Sequence, residues 1–138
     1  MTTIAAPPTT TTQTSVQRLR TVLSVNAATS FVAGTIGLLA TDPVVDELGL
    51  QSAGWTRLVS AGLVLFAIDV ALGVRSARYL ANTALLTSVL DLAWVVATVA
   101  VLATVELTGL GRLLAVVMGV AVLDFAVLQL WFRSRMPR

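Results

Sequence analysis

The sequence predicts an all-α polytopic membrane protein, an antiparallel up-down-up-down bundle of four transmembrane helices. The first observation is composition: of 138 residues, 57% are hydrophobic and 12% are charged. In soluble domains about 45–50% of the residues are hydrophobic and about 25% are charged. The mean hydropathy of +0.90 agrees with this. The second observation is four long apolar segments, and the third is the position of arginines at their ends. A water-soluble fold of this composition would expose large apolar patches, whereas a bilayer solvates them.

Each apolar segment is long enough to cross a bilayer, because a helix of about 20 residues spans the hydrocarbon core. None of them alternates as a half-buried strand would. The links between them are short, which favours antiparallel neighbours. In the longest link we expect a short helical turn that Asp42 caps, with Pro43 at its first position and Gly49 at its end. The predicted transmembrane helices cover residues 19–40, 55–74, 80–105 and 113–132.

Residues 1–17 are rich in threonine, contain Pro7 and Pro8 and carry no charge. Such a segment has too little apolar surface to form a core. We therefore predict a disordered cytoplasmic tail, followed by a four-helix transmembrane domain over residues 18–138. The start of the first apolar segment also resembles a cleaved signal peptide, but its length and Asn26 within it favour a retained helix.

The arginines predict the orientation of the bundle. Seven lie at one end, and Arg57 and Arg112 lie at the other, together with all four acidic residues of the loops. Because positively charged residues stay in the cytoplasm, we expect both termini there, in a multi-pass protein of the inner (plasma) membrane. We expect no nucleic-acid partner despite a pI near 10.5, since these arginines mark topology. The seven are Arg18, Arg20, Arg75, Arg78, Arg133, Arg135 and Arg138.

The chain contains no cysteine and no histidine. This composition excludes a thiolate nucleophile and an iron–sulfur cluster, and it removes the commonest metal ligand and general base. Acid–base catalysis would then need a pair of carboxylates, and no spacing in the sequence suggests one. We therefore expect a protein that is not an enzyme and that holds no cofactor and no metal.

The second and fourth segments look related at an offset of 55 residues. In each of them an arginine, Arg57 or Arg112, precedes an aspartate, Asp69 or Asp124, by 12 residues. Two helices of similar composition also agree by chance, but aspartate is rare inside membranes. We predict a duplicated helical hairpin whose copies are related by an axis along the membrane normal. The other matching pairs are Gly54/Gly109, Leu58/Leu113, Ala71/Ala126, Arg78/Arg133 and, at an offset of 56, Asn26/Asn82.

Three aspartates lie inside the predicted spans, and we expect all three to be buried, because an ionised aspartate at mid-bilayer costs about 2.5–3.5 kcal/mol. The favoured interpretation is structural, with hydrogen bonds that fix the helix register. The functional alternative is a proton or cation path, or a site where Asp91 and Trp94 hold an organic cation. The candidate intramembrane polar site comprises Asp69, Asp91, Asp124, Asn26, Thr87 and Trp94.

Three short motifs are Asn-Ala-Ala from Asn26, Asp-Leu-Ala-Trp ending at Trp94, and Asp-Phe-Ala-Val-Leu-Gln ending at Gln129. With these motifs, residues 18–138 resemble small four-helix integral membrane proteins of high-GC actinobacteria. The resemblance implies a fold and no activity. Small multidrug transporters share the length and the helix number. They carry their essential acid in the first helix, where this chain has Asn26.

The sequence therefore favours a non-enzymatic module that self-associates or binds a larger membrane protein through faces of small residues, such as Ser30/Gly34 and Ala115/Gly119. The expected partners are the lipid bilayer and either a second copy, in a homo-oligomer for which a dimer is favoured, or a larger membrane protein. The alternative function is a proton-coupled transporter or channel for a small or cationic substrate, which would use the intramembrane aspartates.

Overall fold

A computed structural model describes residues 10–136 of the chain. Within that range there are five helices, four of which are long and apolar enough to cross a membrane. The fifth is a short helix between the first two long ones. The helices are α1 (Thr10–Leu39), α2 (Thr41–Leu48), α3 (Ala53–Arg75), α4 (Leu80–Thr104) and α5 (Gly109–Ser134).

Helix α1 begins earlier than predicted, so the prediction of a disordered tail is wrong for residues 10–17, while residues 1–9 lie outside the described residues. The reason is tertiary burial. Ser15 is 7% exposed, and Val16 packs against the buried core. Contacts of this kind stabilise helical turns that local composition alone does not favour. The other long helices match the predicted segments to within a few residues at each end.

The short helix α2 lies in the longest link, and it ends as predicted. Gly49 follows it with a φ of 73°, a left-handed conformation that favours glycine. The predicted cap is wrong: α2 begins at Thr41, after Ala40, and no side chain caps it. Asp42 lies instead in the first turn, where a carboxylate faces the positive end of the helix dipole.

Packing between the helices is uneven. Helix α1 packs most extensively on α3, and α4 packs on α5, while α1 also contacts α5. Helices α3 and α4 contact each other much less, and the backbones of α3 and α5 do not approach each other within residues 10–136. The four long helices therefore surround the centre in the order α1, α3, α4, α5, with α3 and α5 diagonally opposite.

The tightest core lies at the arginine-rich end of the bundle. It is formed where α1 and α4 begin and where α3 and α5 end. Leucine side chains of α1 fill its centre, because Leu19 and Leu23 are fully buried there. The other buried members are Ala27, Ala67, Val70, Leu80, Ala84 and Phe132.

Small residues allow the backbones to approach at three places. A β-carbon added at Gly34 would lie 2.6 Å from the carbonyl oxygen of Ser60, so α1 touches α3 directly. A β-carbon at Gly73 would collide with Thr83 of α4, and one at Gly111 would collide with the carbonyl of Leu48. Such contacts are typical of helices that associate in membranes.

Hydrogen bonds of Thr108 join α2 to the start of α5. The Thr108 backbone N–H donates to the carbonyl of Leu48 (3.1 Å), and its hydroxyl donates to the carbonyl of Glu47 (2.6 Å). The same hydroxyl accepts a bond from the Gly111 backbone N–H (3.0 Å) and so caps α5. The loop before α5 is thereby fixed against the α1–α3 connection.

Candidate functional site

A polar cluster lies in the interior of the bundle, around the inward face of α4. That face repeats at helical spacing, with buried residues at positions i, i+4, i+7, i+8 and i+11. One leucine and one alanine come first on this face and three polar residues follow, so the polar residues lie side by side toward the other helices. These buried residues are Leu80, Ala84, Thr87, Ser88 and Asp91.

The Asp91 carboxylate is the centre of this cluster and is only 4% exposed. Its Oδ2 atom accepts hydrogen bonds from Asn26 Nδ2 of α1 at 2.8 Å and from Gln129 Nε2 of α5 at 3.2 Å. Both donors are themselves buried, at 2% and 0% exposed. One carboxylate oxygen thus ties three helices together.

The two amide side chains that hold Asp91 make further contacts. Gln129 Oε1 lies 3.1 Å from the hydroxyl of Ser88, which also donates to the carbonyl of Ala84 at 2.7 Å. A hydroxyl has one proton, so these two acceptors share it. On α1, the hydroxyl of Ser30 lies 3.4 Å from Asn26 Oδ1. The network fixes the orientation of both amides.

Asp91 has no ion-pair partner within residues 10–136, and the side chains that donate to it are neutral amides. A buried carboxylate of this kind accepts hydrogen bonds, or it takes up a proton or a cation. The cluster is therefore suited to fixing the helix register and also to holding a positive charge in the bundle interior.

Two predicted site residues on α4 lie close to Asp91 in sequence but differ in environment. Thr87, one turn before Asp91, is 2% exposed and lies on the same inward face. Trp94, one turn after it, is half-buried and lines a groove of about 360 Å³ between α3 and α4. Asp91 does not line this groove, so the structure does not bring Asp91 and Trp94 together as one organic-cation site. The groove is lined by Val59, Gly62, Leu63, Phe66, Leu90 and Trp94.

The prediction that all three aspartates are buried is wrong for Asp69 and Asp124. Both side chains are exposed, and neither makes a hydrogen bond or ion pair in the described part of the chain. Sequence gives the depth of a residue along a helix, but the packed face depends on which neighbours the helix meets. Helix α3 buries Ser60, Ala67 and Val70, and α5 buries Gly111, Ala126, Gln129 and Phe132.

Gln129 and Ser88 belong to the cluster but were absent from the predicted site. Their spacing carries a signal for burial. Gln129 lies three residues from Ala126 and from Phe132, which places the three on one face of α5. Ser88 lies four residues after Ala84 and three before Asp91. What the spacing does not give is the contact between α4 and α5 that joins the two residues.

Comparison with known proteins finds no family model, no curated protein and no solved structure that matches this chain. The class of protein therefore follows from the fold and the polar cluster alone. It is a helical protein with four helices fit to span a membrane, a buried carboxylate held by two amides, and two further carboxylates on outward faces.

Proposed function

We propose that this protein is a non-enzymatic membrane module that associates with other membrane-spanning helices, either of its own copies or of a larger membrane protein. The observation that supports it most strongly is the exposure of Asp69 and Asp124 within helices that can span a membrane. An ionised aspartate at mid-bilayer costs about 2.5–3.5 kcal/mol on insertion scales. A partner that covers these carboxylates would remove that cost.

The proposal includes an up-down-up-down bundle with both termini in the cytoplasm. The contacts support antiparallel neighbours. The second half of α1, at Gly34 and Gly37, lies against Ser60 near the start of α3. Arg133 near the end of α5 donates from Nε to the carbonyl of Ala81 near the start of α4 at 3.0 Å.

The duplicated hairpin is also part of the proposal. In its favour, the two most extensive contacts join α1 with α3 and α4 with α5, which are the two hairpins of the repeat. Its paired aspartates, Asp69 and Asp124, are both exposed. Not every pair shares its environment, because Ala71 is exposed and Ala126 is fully buried. A duplication would thus have diverged at the packed faces.

Association is tested by photo-crosslinking in native membranes. The chain contains no cysteine, so Leu128→Cys gives a single attachment point for a benzophenone on the outward face of α5. The matched control is Ala126→Cys, two residues away on the inward face and fully buried. We expect a discrete product above the monomer mass from Leu128→Cys and none from Ala126→Cys.

Leu65→Cys on α3 repeats the test on the opposite side of the bundle, since Leu65 is 68% exposed. If Leu128→Cys and Leu65→Cys both yield monomer alone, in membranes and in mild detergent, the proposed association does not exist. The mass of any product distinguishes a second copy from a larger protein.

The second candidate function is a proton-coupled carrier or channel, and one observation favours it: Asp91 is buried and forms no ion pair with any described residue. The path would depend on Asp91 rather than on three aspartates in series, because Asp69 and Asp124 lie on outward faces. Flux driven by a pH gradient in liposomes tests it. The carrier hypothesis requires flux in the parent protein and its loss in Asp91→Asn, with Asp69→Asn as the control.

A further inference from the structure

We infer that the outward face of α5 around Asp124 binds a membrane-spanning helix of another protein, one that carries an arginine or lysine at the depth of Asp124. This inference rests on the proposed function and names the face and the partner chemistry. The first observation is a line of residues along α5. Asp124, Leu128, Trp131 and Arg135 follow at i, i+4, i+7 and i+11, which places them on one side of the helix.

No other described helix packs against this face. Helix α5 is the least buried of the four candidate spans. Its contacts with α1 and α4 use the opposite side, which carries Ala126, Gln129 and Phe132. On the outward side, Leu128 is 40% exposed and Trp131 is 44% exposed.

Asp124 lies too deep to reach the aqueous phase on its own. It precedes Arg133 by nine residues, or about 13 Å along the helix axis. It follows Gly109, the first residue of α5, by 15 residues, or about 22 Å. An aspartate side chain is short, so in a bilayer Asp124 would face lipid unless another helix covers it.

The described residues offer no positive charge at this depth. Outside α1 every described arginine lies near a helix end or in a loop, and Arg18 and Arg20 of α1 flank Leu19 of the core at the arginine-rich end. A second copy inserted in the same orientation presents the same residues at the same depth. A symmetric dimer through this face would therefore bring the two Asp124 carboxylates together, and like charges repel each other. A helix with an arginine or lysine at this level gives the complementary charge.

The cytoplasmic end of the same face is ordered by a cation–π contact. The guanidinium carbon of Arg135 lies 4.0 Å from the centroid of the Trp131 ring. Trp131 also packs edge-on against the buried Phe132, with ring centroids 4.8 Å apart. The indole of Trp131 is therefore held at the level of the membrane interface, where the partner helix can pack against it. Asp124 then selects the partner helix by its charge.

The test uses the full chain in phosphatidylcholine vesicles with synthetic transmembrane helices as probes. Three Leu/Ala host helices carry a single Arg at the depth of Asp124, a single Arg near the helix end, or no Arg in the span. A fluorescent donor sits on Ala77→Cys in the exposed loop between α3 and α4, and each probe carries an acceptor. Energy transfer as a function of probe concentration gives the apparent affinity.

We expect the probe with Arg at matching depth to bind at least about tenfold more tightly than the other two. The reason is that a desolvated charge pair adds to the affinity that helix packing alone provides. Asp124→Asn should remove this preference. Asp69→Asn, the same substitution on the diagonally opposite helix, should leave it unchanged. Both variants keep the side-chain shape, and neither residue contributes to the core, so both should fold.

Equal binding of the three probes, or a preference lost in Asp69→Asn and retained in Asp124→Asn, would overturn the inference. Energy transfer between two labelled copies without any probe, abolished by Asp124→Asn, would identify a second copy as the occupant and also overturn it. The proposed function fails separately, when photo-crosslinking finds neither a second copy nor a partner.

Discussion

At the scale of single residues, the three intramembrane aspartates have different roles because they lie on different faces. Asp91 is surrounded by hydrogen-bond donors from two other helices. Asp69 and Asp124 are exposed and unpaired in residues 10–136. We therefore expect the same residue type to stabilise the bundle at one position and to oppose solvation by lipid at the other two.

Replacing Asp91 by leucine should destabilise the bundle. Asn26 and Gln129 would lose a shared acceptor, and hydrogen bonds inside membranes are worth about 0.6–2 kcal/mol each. We expect the free energy of unfolding, measured by denaturant titration in micelles, to fall by about 1–3 kcal/mol. Asp91→Asn keeps an acceptor oxygen and should lose less than about 1 kcal/mol.

Asp124→Leu is the matched comparison on an outward face. It removes no contact within the described chain, so it should not lower the free energy of unfolding. A loss in Asp124→Leu as large as that in Asp91→Leu would show that the buried network is not the source of the effect.

At the scale of elements, two glycines show how closely the helices approach. Gly111 at the start of α5 touches the backbone of α2, and a backbone atom cannot move aside as a flexible side chain can. Gly37 touches the Ser60 side chain on α3. These two contacts predict different behaviour on substitution.

Gly111→Ala should lower the free energy of unfolding by about 1–3 kcal/mol, since the new methyl group would overlap the carbonyl of Leu48. Gly109→Ala, two residues earlier in the same helix, meets nothing within 4 Å. It should be neutral or stabilising by up to about 1 kcal/mol, because alanine favours helix more than glycine does. Equal effects of the two substitutions in thermal unfolding would contradict the contact between α2 and α5.

Gly37→Ala should also destabilise the protein, by about 1–3 kcal/mol. Here the obstacle is the side chain of Ser60, so Ser60→Gly in the same chain should restore part of the loss. A double-variant cycle in the same unfolding assay measures this coupling. Additive effects without rescue would argue that α1 and α3 do not meet at these residues.

At the scale of the whole molecule, the bundle is closed more tightly at its arginine-rich end. The buried core lies there, and the groove at Trp94 shows that α3 and α4 separate farther along. The other end is held by α2, whose carbonyls accept bonds from Thr108. The arrangement gives two ends of different chemistry, basic at one and acidic at the other.

This asymmetry predicts the orientation in a membrane. We expect Gln51→Cys, in the exposed link before α3, to react with a membrane-impermeant maleimide added outside intact cells. Ala77→Cys and Ser134→Cys should react only after permeabilisation, since we propose that the arginine-rich end lies in the cytoplasm. Labelling of Ala77→Cys and Ser134→Cys from opposite sides would disprove an even number of spans between them.

The sequence by itself determined the number of long helices and the approximate bounds of α3, α4 and α5, because apolar runs of this length have one favourable solvent, lipid. It also identified Asp91, Asn26 and Thr87 as polar residues of the spans. It could not place them together. The hydrogen bonds that Asp91 accepts from Gln129 and Asn26 join residues 38 and 65 positions apart, and they depend on the rotation of each helix about its axis.

Only the tertiary structure decided which aspartate is inside. In a soluble helix the apolar face marks the interior, but a transmembrane helix is apolar all round, so periodicity indicates the packed face weakly. Small residues and specific contacts set the rotation of α3 and α5, and that rotation turned Asp69 and Asp124 outward. The helical turn before Arg18 likewise required tertiary contacts, since Val16 packs against the buried core.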